Sequence, residues 1–129
     1  MNGKILLDTN IVIGLFANDQ SVRQRLEQTE QVFIPSIVLG ELYYGAYKSI
    51  KIEENILRIK EFAQQNSVLA CDTLTAQHYG RIKNTLRLKG KPIPENDLWI
   101  AALGVQYSLV VVTRDEHFNA IDALTVEQW

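Results

Sequence analysis

Lys4-Ile-Leu-Leu-Asp-Thr-Asn10 decides how this chain is read. Lys4 to Leu7 is a short, almost wholly apolar run, as expected of a central strand in a parallel sheet covered on both faces. It stops at Asp8-Thr-Asn10, residue types that cap helices. Ile11 to Ala17 then reads as a short helix. Strand, acid, helix is the opening step of an α/β fold, and an acid at the carboxyl end of a strand stands where such folds bind ligands.

The same grammar repeats along the chain. After Asn18-Asp-Gln-Ser21, a second amphipathic piece runs from about Ser21 to Gln28. Gln31-Val-Phe-Ile34 is a second strand, and Pro35-Ser36 opens a helix to about Lys48 with Ser36 as its cap. A polar helix covers about Ile52 to Gln65, and Ser67 to Cys71 is a third strand. Asp72-Thr73 starts a long helix to about Lys89, with Thr75, Tyr79, Ile82 and Leu86 at helical spacing on its inner face. Gly90-Lys-Pro-Ile-Pro94 is a loop, after which Asn96 or Asp97 caps a helix apolar nearly all round, the mark of burial. Leu109 to Val112 is a fourth strand, Thr113 to Phe118 a turn or short helix, and Ala123 to Val126 a fifth, edge strand. Strands alternating with helices imply right-handed crossovers. The expected fold is a three-layer α/β sandwich with a central parallel sheet of about five strands, formed by residues 1–129 as one domain.

Composition narrows the function. The hydrophobic fraction of 47% and charged fraction of 22% are those of an ordinary globular protein. A net charge of −2 argues against holding nucleic acid by bulk positive charge alone, although a bound metal would supply local charge that such a count omits. Cys71 is the one cysteine, so no internal disulfide forms, and it reads as a small buried thiol. No run approaches the roughly 20 apolar residues that span a bilayer. No leader pattern opens the chain, and a cytoplasmic protein without membrane contact is expected.

Four acids stand out. Asp8 and Asp115 follow two strands, Asp97 begins the buried helix, and Glu41 interrupts the apolar Ile37-Val-Leu-Gly40 and Leu42-Tyr-Tyr44. Each of the three aspartates alone reads equally as a cap or turn residue. Glu41 does not, because Glu is seldom buried without a partner, and Gly45 on the same helical face leaves space beside it. With the first strand central, all four converge at one sheet edge. Clustered carboxylates repel one another unless a cation lies among them, and oxygen-only ligation suits Mg²⁺ or Mn²⁺. Asp8 and Asp97 are expected as direct ligands, with Asp115 and Glu41 holding bound waters or a second ion. One or two ions would activate a water for in-line attack on a phosphodiester. Thr113, Thr9 and Asn10 lie beside these acids and could orient a ligand, or merely cap locally. His78 reads as structural and His117 as part of a polar turn. No glycine-rich phosphate cradle and no Cys/His zinc set are present.

Four blocks carry a resemblance: Leu6-Leu-Asp-Thr-Asn-Ile-Val-Ile13, Pro35-Ser-Ile-Val-Leu-Gly-Glu-Leu-Tyr-Tyr-Gly45, Pro92-Ile-Pro-Glu-Asn-Asp-Leu-Trp-Ile-Ala-Ala102 and Val112-Thr-Arg-Asp-Glu-His-Phe118. In order and spacing they resemble the PIN-domain ribonucleases, specifically VapC-type toxins of bacterial toxin–antitoxin systems. The resemblance implies a PIN-like fold and a Mg²⁺- or Mn²⁺-dependent endoribonuclease. Its metal-site acids fall on Asp8, Glu41, Asp97 and Asp115, and its hydroxyl position on Thr113. It further implies a homodimer, a cognate VapB-like antitoxin, and cleavage of structured RNA such as tRNA or a ribosomal RNA loop.

Partner surfaces are expected at Tyr43, Tyr44 and Tyr47, which suit a dimer or antitoxin contact. Lys83, Arg87, Lys89 and Lys91 lead towards Asp97 and suit phosphate contacts or a solvated basic face. Two other acid-site folds fit less well. A receiver-like domain needs a lysine after its fifth strand, and a haloacid-dehalogenase-like phosphatase wants Asp-x-Asp where Asp8-Thr-Asn10 stands. The remaining alternative is a catalytically inactive PIN-like scaffold that binds RNA or a partner. It differs in its expectation for Asp8→Asn, which would leave its binding intact and would abolish cleavage by an enzyme.

Overall fold

The computed structural model describes residues 2–129. Five parallel strands form one sheet in the order β3-β2-β1-β4-β5, where β1 is Asn2–Leu7, β2 Thr29–Pro35, β3 Ser67–Leu69, β4 Val110–Thr113 and β5 Val126–Gln128. Leu6 pairs with Phe33 on one side and Val111 on the other, so β1 is the central strand, as its apolar run requires. Ile5, Leu6 and Leu7 are all buried, as are Val111 and Val112.

Between β1 and β2 come α1 (Thr9–Phe16) and α2 (Gln20–Glu27); between β2 and β3, α3 (Ser36–Tyr47) and α4 (Ile52–Gln64). The chain then returns across the sheet through α5 (Thr73–Lys89) and α6 (Glu95–Gln106). Right-handed crossovers in opposite directions put α1–α4 on one face and α5–α6 on the other. The packing of α1 on α2 and α3, of α3 on α4, and of α5 on α6 follows that division. The reversal of direction falls between β1 and β4, and the crevice beside it is where an open α/β sheet receives ligands.

Several boundaries differ from expectation. Helix α6 starts at Glu95 with Pro94 as its cap residue, so Asp97 lies inside the first turn and not at the cap. Proline's fixed φ and missing N–H suit a helix start. Pro35, not Ser36, is likewise the cap residue of α3. Strand β5 begins at Val126, later than Ala123, because Val126 is the residue that pairs with Val111. Leu124, just before it, packs on Gly104: a Cβ on Gly104 would lie 2.7 Å from Leu124 Cδ1 and 2.8 Å from Val111 Cγ2. Glycine is thus what lets α6 approach β4 closely. Cys71 is half-buried and lies outside β3, which ends at Leu69.

Candidate active site

The site is built where β1 and β4 end side by side. The Asp8 N–H donates to the Val112 carbonyl at 3.0 Å, extending the β1–β4 ladder by one bond. Asp8 then caps α1, its Oδ1 accepting from the Thr9 N–H at 2.8 Å. Its Oδ2 accepts from the Thr113 hydroxyl at 2.7 Å and from the Asn10 amide at 3.4 Å. Thr113 is fully buried, and its Oγ1 also accepts the Asp115 N–H at 2.9 Å. One hydroxyl therefore locks the acid after β1 to the acid after β4. Asn10 adds a second tie, its Oδ1 accepting from the Arg114 N–H at 3.2 Å.

Glu41 reaches the same edge from α3. The Thr9 hydroxyl donates to its Oε1 at 2.5 Å, which answers what partners a glutamate amid apolar residues. Gly45 is open, with nothing within 4 Å of where its Cβ would sit. A groove lined by Ile13, Phe16, Leu42 and Arg58 runs along Glu41 there. Thr9 and Asn10 thus do more than cap, each joining separate parts of the site.

Asp97 and Asp115 close the arrangement. With His117 they offer three ligand atoms all within 4.8 Å of one another. His117 Nδ1 lies 3.0 Å from Asp115 Oδ1 and 3.4 Å from Asp97 Oδ2. This placement corrects the reading of His117 as a plain turn residue. It stands in a short 3-10 helix, Glu116–Ala120, whose N-cap is Asp115. Its position two residues after an acid was the available signal. The closest set of ligand atoms comes from Asp97, Asp115 and His117, whereas Asp8 and Asp97 were expected to form the inner pair. Asp8 joins through Thr113, and Glu41 through Thr9.

The electrostatics are those of crowded acids. Burial raises the Asp8 carboxyl above its ordinary value against the Thr113 hydrogen bond, with the charges of Glu41 and Asp115 adding to it. Asp97 is pushed up to about 6, first by burial, then by Asp8 and Asp115, with His117 opposing. Among the described residues, no lysine or arginine forms an ion pair with any of the four acids. A cluster that holds protons this tightly lacks a positive centre, and its oxygens fit a hard divalent ion. Asp97 and Asp115 are placed to hold one directly, with Asp8 and Glu41 alongside.

The lysines leading to the site are partly engaged elsewhere. Lys83 pairs with Glu95 at 2.9 Å and Lys89 with Asp122 at 2.9 Å. These long-range partners were not visible in the local sequence. Tyr44 and Tyr47 are exposed on α3, with the Lys48 ammonium 4.3 Å from the Tyr44 ring centre.

The chain as a whole has counterparts among known proteins. The PIN domain family matches residues 5–124. The chain belongs to the PIN-domain family. Within that family it is similar along its length to Ribonuclease VapC2 of Haemophilus influenzae, 37% identical over 98% of each chain. It is equally similar to the tRNA(fMet)-specific endonuclease VapC of Salmonella typhimurium, 37% identical over 98% of each chain. Among solved PIN-domain structures, DNA-bound VapBC from Salmonella typhimurium superposes with a TM-score of 0.90 at 35% identity, covering 100% of this chain and 99% of that one. VapBC2 from Rickettsia felis, bound to a promoter DNA fragment, gives 0.90 at 30% identity over 98% of each chain. The PIN-like fold expected from the four sequence blocks is the fold found.

Proposed function

We propose that this VapC-type PIN protein is a metal-dependent endoribonuclease, the toxin of a toxin–antitoxin pair. The observation that carries the reading is the convergence of Asp8, Glu41, Asp97 and Asp115 on one sheet edge, with two of them resisting ionisation and, among the described residues, no lysine or arginine paired to any. Acids kept only for folding would lower the energy of the fold. These raise it unless a cation joins them, which argues against an inactive scaffold.

A bound Mg²⁺ or Mn²⁺ would polarise a phosphate oxygen and ease deprotonation of a water. The protein's own residues do the rest. Asp97 and Asp115 would hold the ion. Thr113, fixed by its bonds to Asp8 and Asp115, keeps the acid pair in register. Glu41, steadied by Thr9 at the same sheet edge, would orient water for attack on phosphorus. Positioning and charge stabilisation are the main contributions a protein makes to such a displacement.

The substrate we propose is structured RNA, with tRNA first, a reading supported by the name of one similar protein, the tRNA(fMet)-specific endonuclease VapC. A cytoplasmic site of action would fit such a substrate. The partner is a VapB-like antitoxin, supported by the VapBC complexes among the structural neighbours. The apolar groove beside Glu41 suits an antitoxin segment, and exposed Tyr44 and Tyr47 suit a homodimer contact.

The test is cleavage of total bacterial RNA and of purified tRNA by antitoxin-free protein with Mg²⁺, Mn²⁺ or EDTA. Discrete fragments that vanish with EDTA and with Asp8→Asn or Asp97→Asn are expected. Cleavage that persists in EDTA, or in both folded variants, would overturn the reading.

A further inference from the structure

We propose that His117 is a nitrogen ligand of the active-site ion, and that it tilts the site from Mg²⁺ towards Mn²⁺ and later transition ions. The inference rests on the metal-dependent reading above and extends it to the identity of the ion.

The geometry carries it. Two neighbouring donors on one ion, each bound at ~2.1 Å and at right angles, lie roughly 3.0 Å apart. His117 Nδ1 is 3.0 Å from Asp115 Oδ1 and 3.4 Å from Asp97 Oδ2. The imidazole thus already stands at ligand spacing from two carboxylates on different elements. It is held there from its own backbone: the His117 N–H donates to Asp115 Oδ1 at 3.1 Å, and the next residue, Phe118, is anchored in the core. Asp97, Asp115 and His117 thus each offer a donor atom within 4.8 Å of the others. The other ring nitrogen can remain in water, because half of the side chain is exposed.

The chemistry sets the preference. Mg²⁺ favours oxygen, keeps its waters and gains little from imidazole. Imidazole suits later first-row ions, and affinity for nitrogen-containing sites rises from Mn²⁺ onwards.

The experiment is Mn²⁺ binding to the purified full chain, free of antitoxin, followed by electron paramagnetic resonance. Pulsed measurements read ¹⁴N coupling from a coordinated ring. The proteins are wild type, His117→Ala, His117→Gln and Asp97→Asn, each checked for a native melt. Wild type should show ¹⁴N coupling that both His117 variants lose. Their Mn²⁺ affinity should fall about tenfold, with Mg²⁺ competition changed less than about twofold. Mn²⁺ bound in an Asp97-dependent way without ¹⁴N coupling would overturn the ligand role and leave the ribonuclease reading standing. Mn²⁺ binding that ignores Asp97→Asn, or no binding, would overturn both.

Discussion

Replacing Asp97 with asparagine should make the metal-free protein more stable at neutral pH, although it removes a residue of the active site. Asp97 in the folded protein titrates at about 6 against an ordinary 3.8. The folded state therefore holds the proton more tightly than the unfolded chain. This contribution is fully present below pH 3.8 and is lost as pH rises through about 6. At ~1.4 kcal/mol per pH unit, the ionised carboxylate costs the fold up to roughly 3 kcal/mol at pH 8. Asparagine keeps the shape without the charge. The side chain is 15% exposed, so solvent screening trims the figure little. Loss of the favourable His117 contact trims it further, leaving roughly 1–3 kcal/mol. Urea unfolding in EDTA from pH 4 to 8 reads this directly. At a slope of ~1–3 kcal/mol per molar, the variant's midpoint should sit about 1 M above wild type at pH 8 and converge with it near pH 4. Mn²⁺ at about a hundred times its dissociation constant should add ~2.7 kcal/mol to wild type and less to the variant. A variant less stable than wild type in EDTA at pH 8 would refute the picture of uncompensated acids.

Other perturbations separate scaffold from chemistry. Thr113→Val keeps the shape but strips a donor from Asp8 and an acceptor from the Asp115 N–H, so a loss of roughly 2–4 kcal/mol in urea unfolding is expected. A change under about 0.5 kcal/mol would mean that the hydroxyl does not hold the two acids together. Glu41→Gln can still accept from Thr9, so its melting temperature should stay within a few degrees of wild type while RNA cleavage is lost; retained cleavage would remove Glu41 from the site. Gly104→Ala drives a methyl into Leu124 and Val111 and should cost about 1–3 kcal/mol, with cleavage per folded molecule unchanged. Calorimetry alongside the cleavage assay checks both halves of that statement.

The order of strands and helices was legible because β1, β2 and β4 carry apolar runs that end at or near an acid or a proline. The acids were legible for the same reason, since strand ends share an edge in a parallel sheet. Helix starts were less legible. Both Pro35 and Pro94 precede good capping side chains, and the chain caps at proline, where no side-chain bond is formed. Strand β5 was placed too early because Leu124 looks like a strand residue, yet it packs on Gly104 from outside the ladder. The nearness of His117 to Asp97 was not legible because tertiary approach sets it, with Asp97 twenty residues away along the chain. The partners of Lys83 and Lys89 were not legible for the same reason: Asp122 lies 33 residues beyond Lys89.

The Thr113–Asp8 hydrogen bond spans 105 residues of sequence. It joins the first strand to the fourth, so a ribosome must deliver nearly the whole chain before the two halves of the site can meet. A growing chain can already join Thr9 to Glu41, but it has no β4 to bring Thr113 and Asp115 beside Asp8. Long-range pairing of this kind closes late and slowly. The full set of acids is therefore assembled only when synthesis is nearly complete.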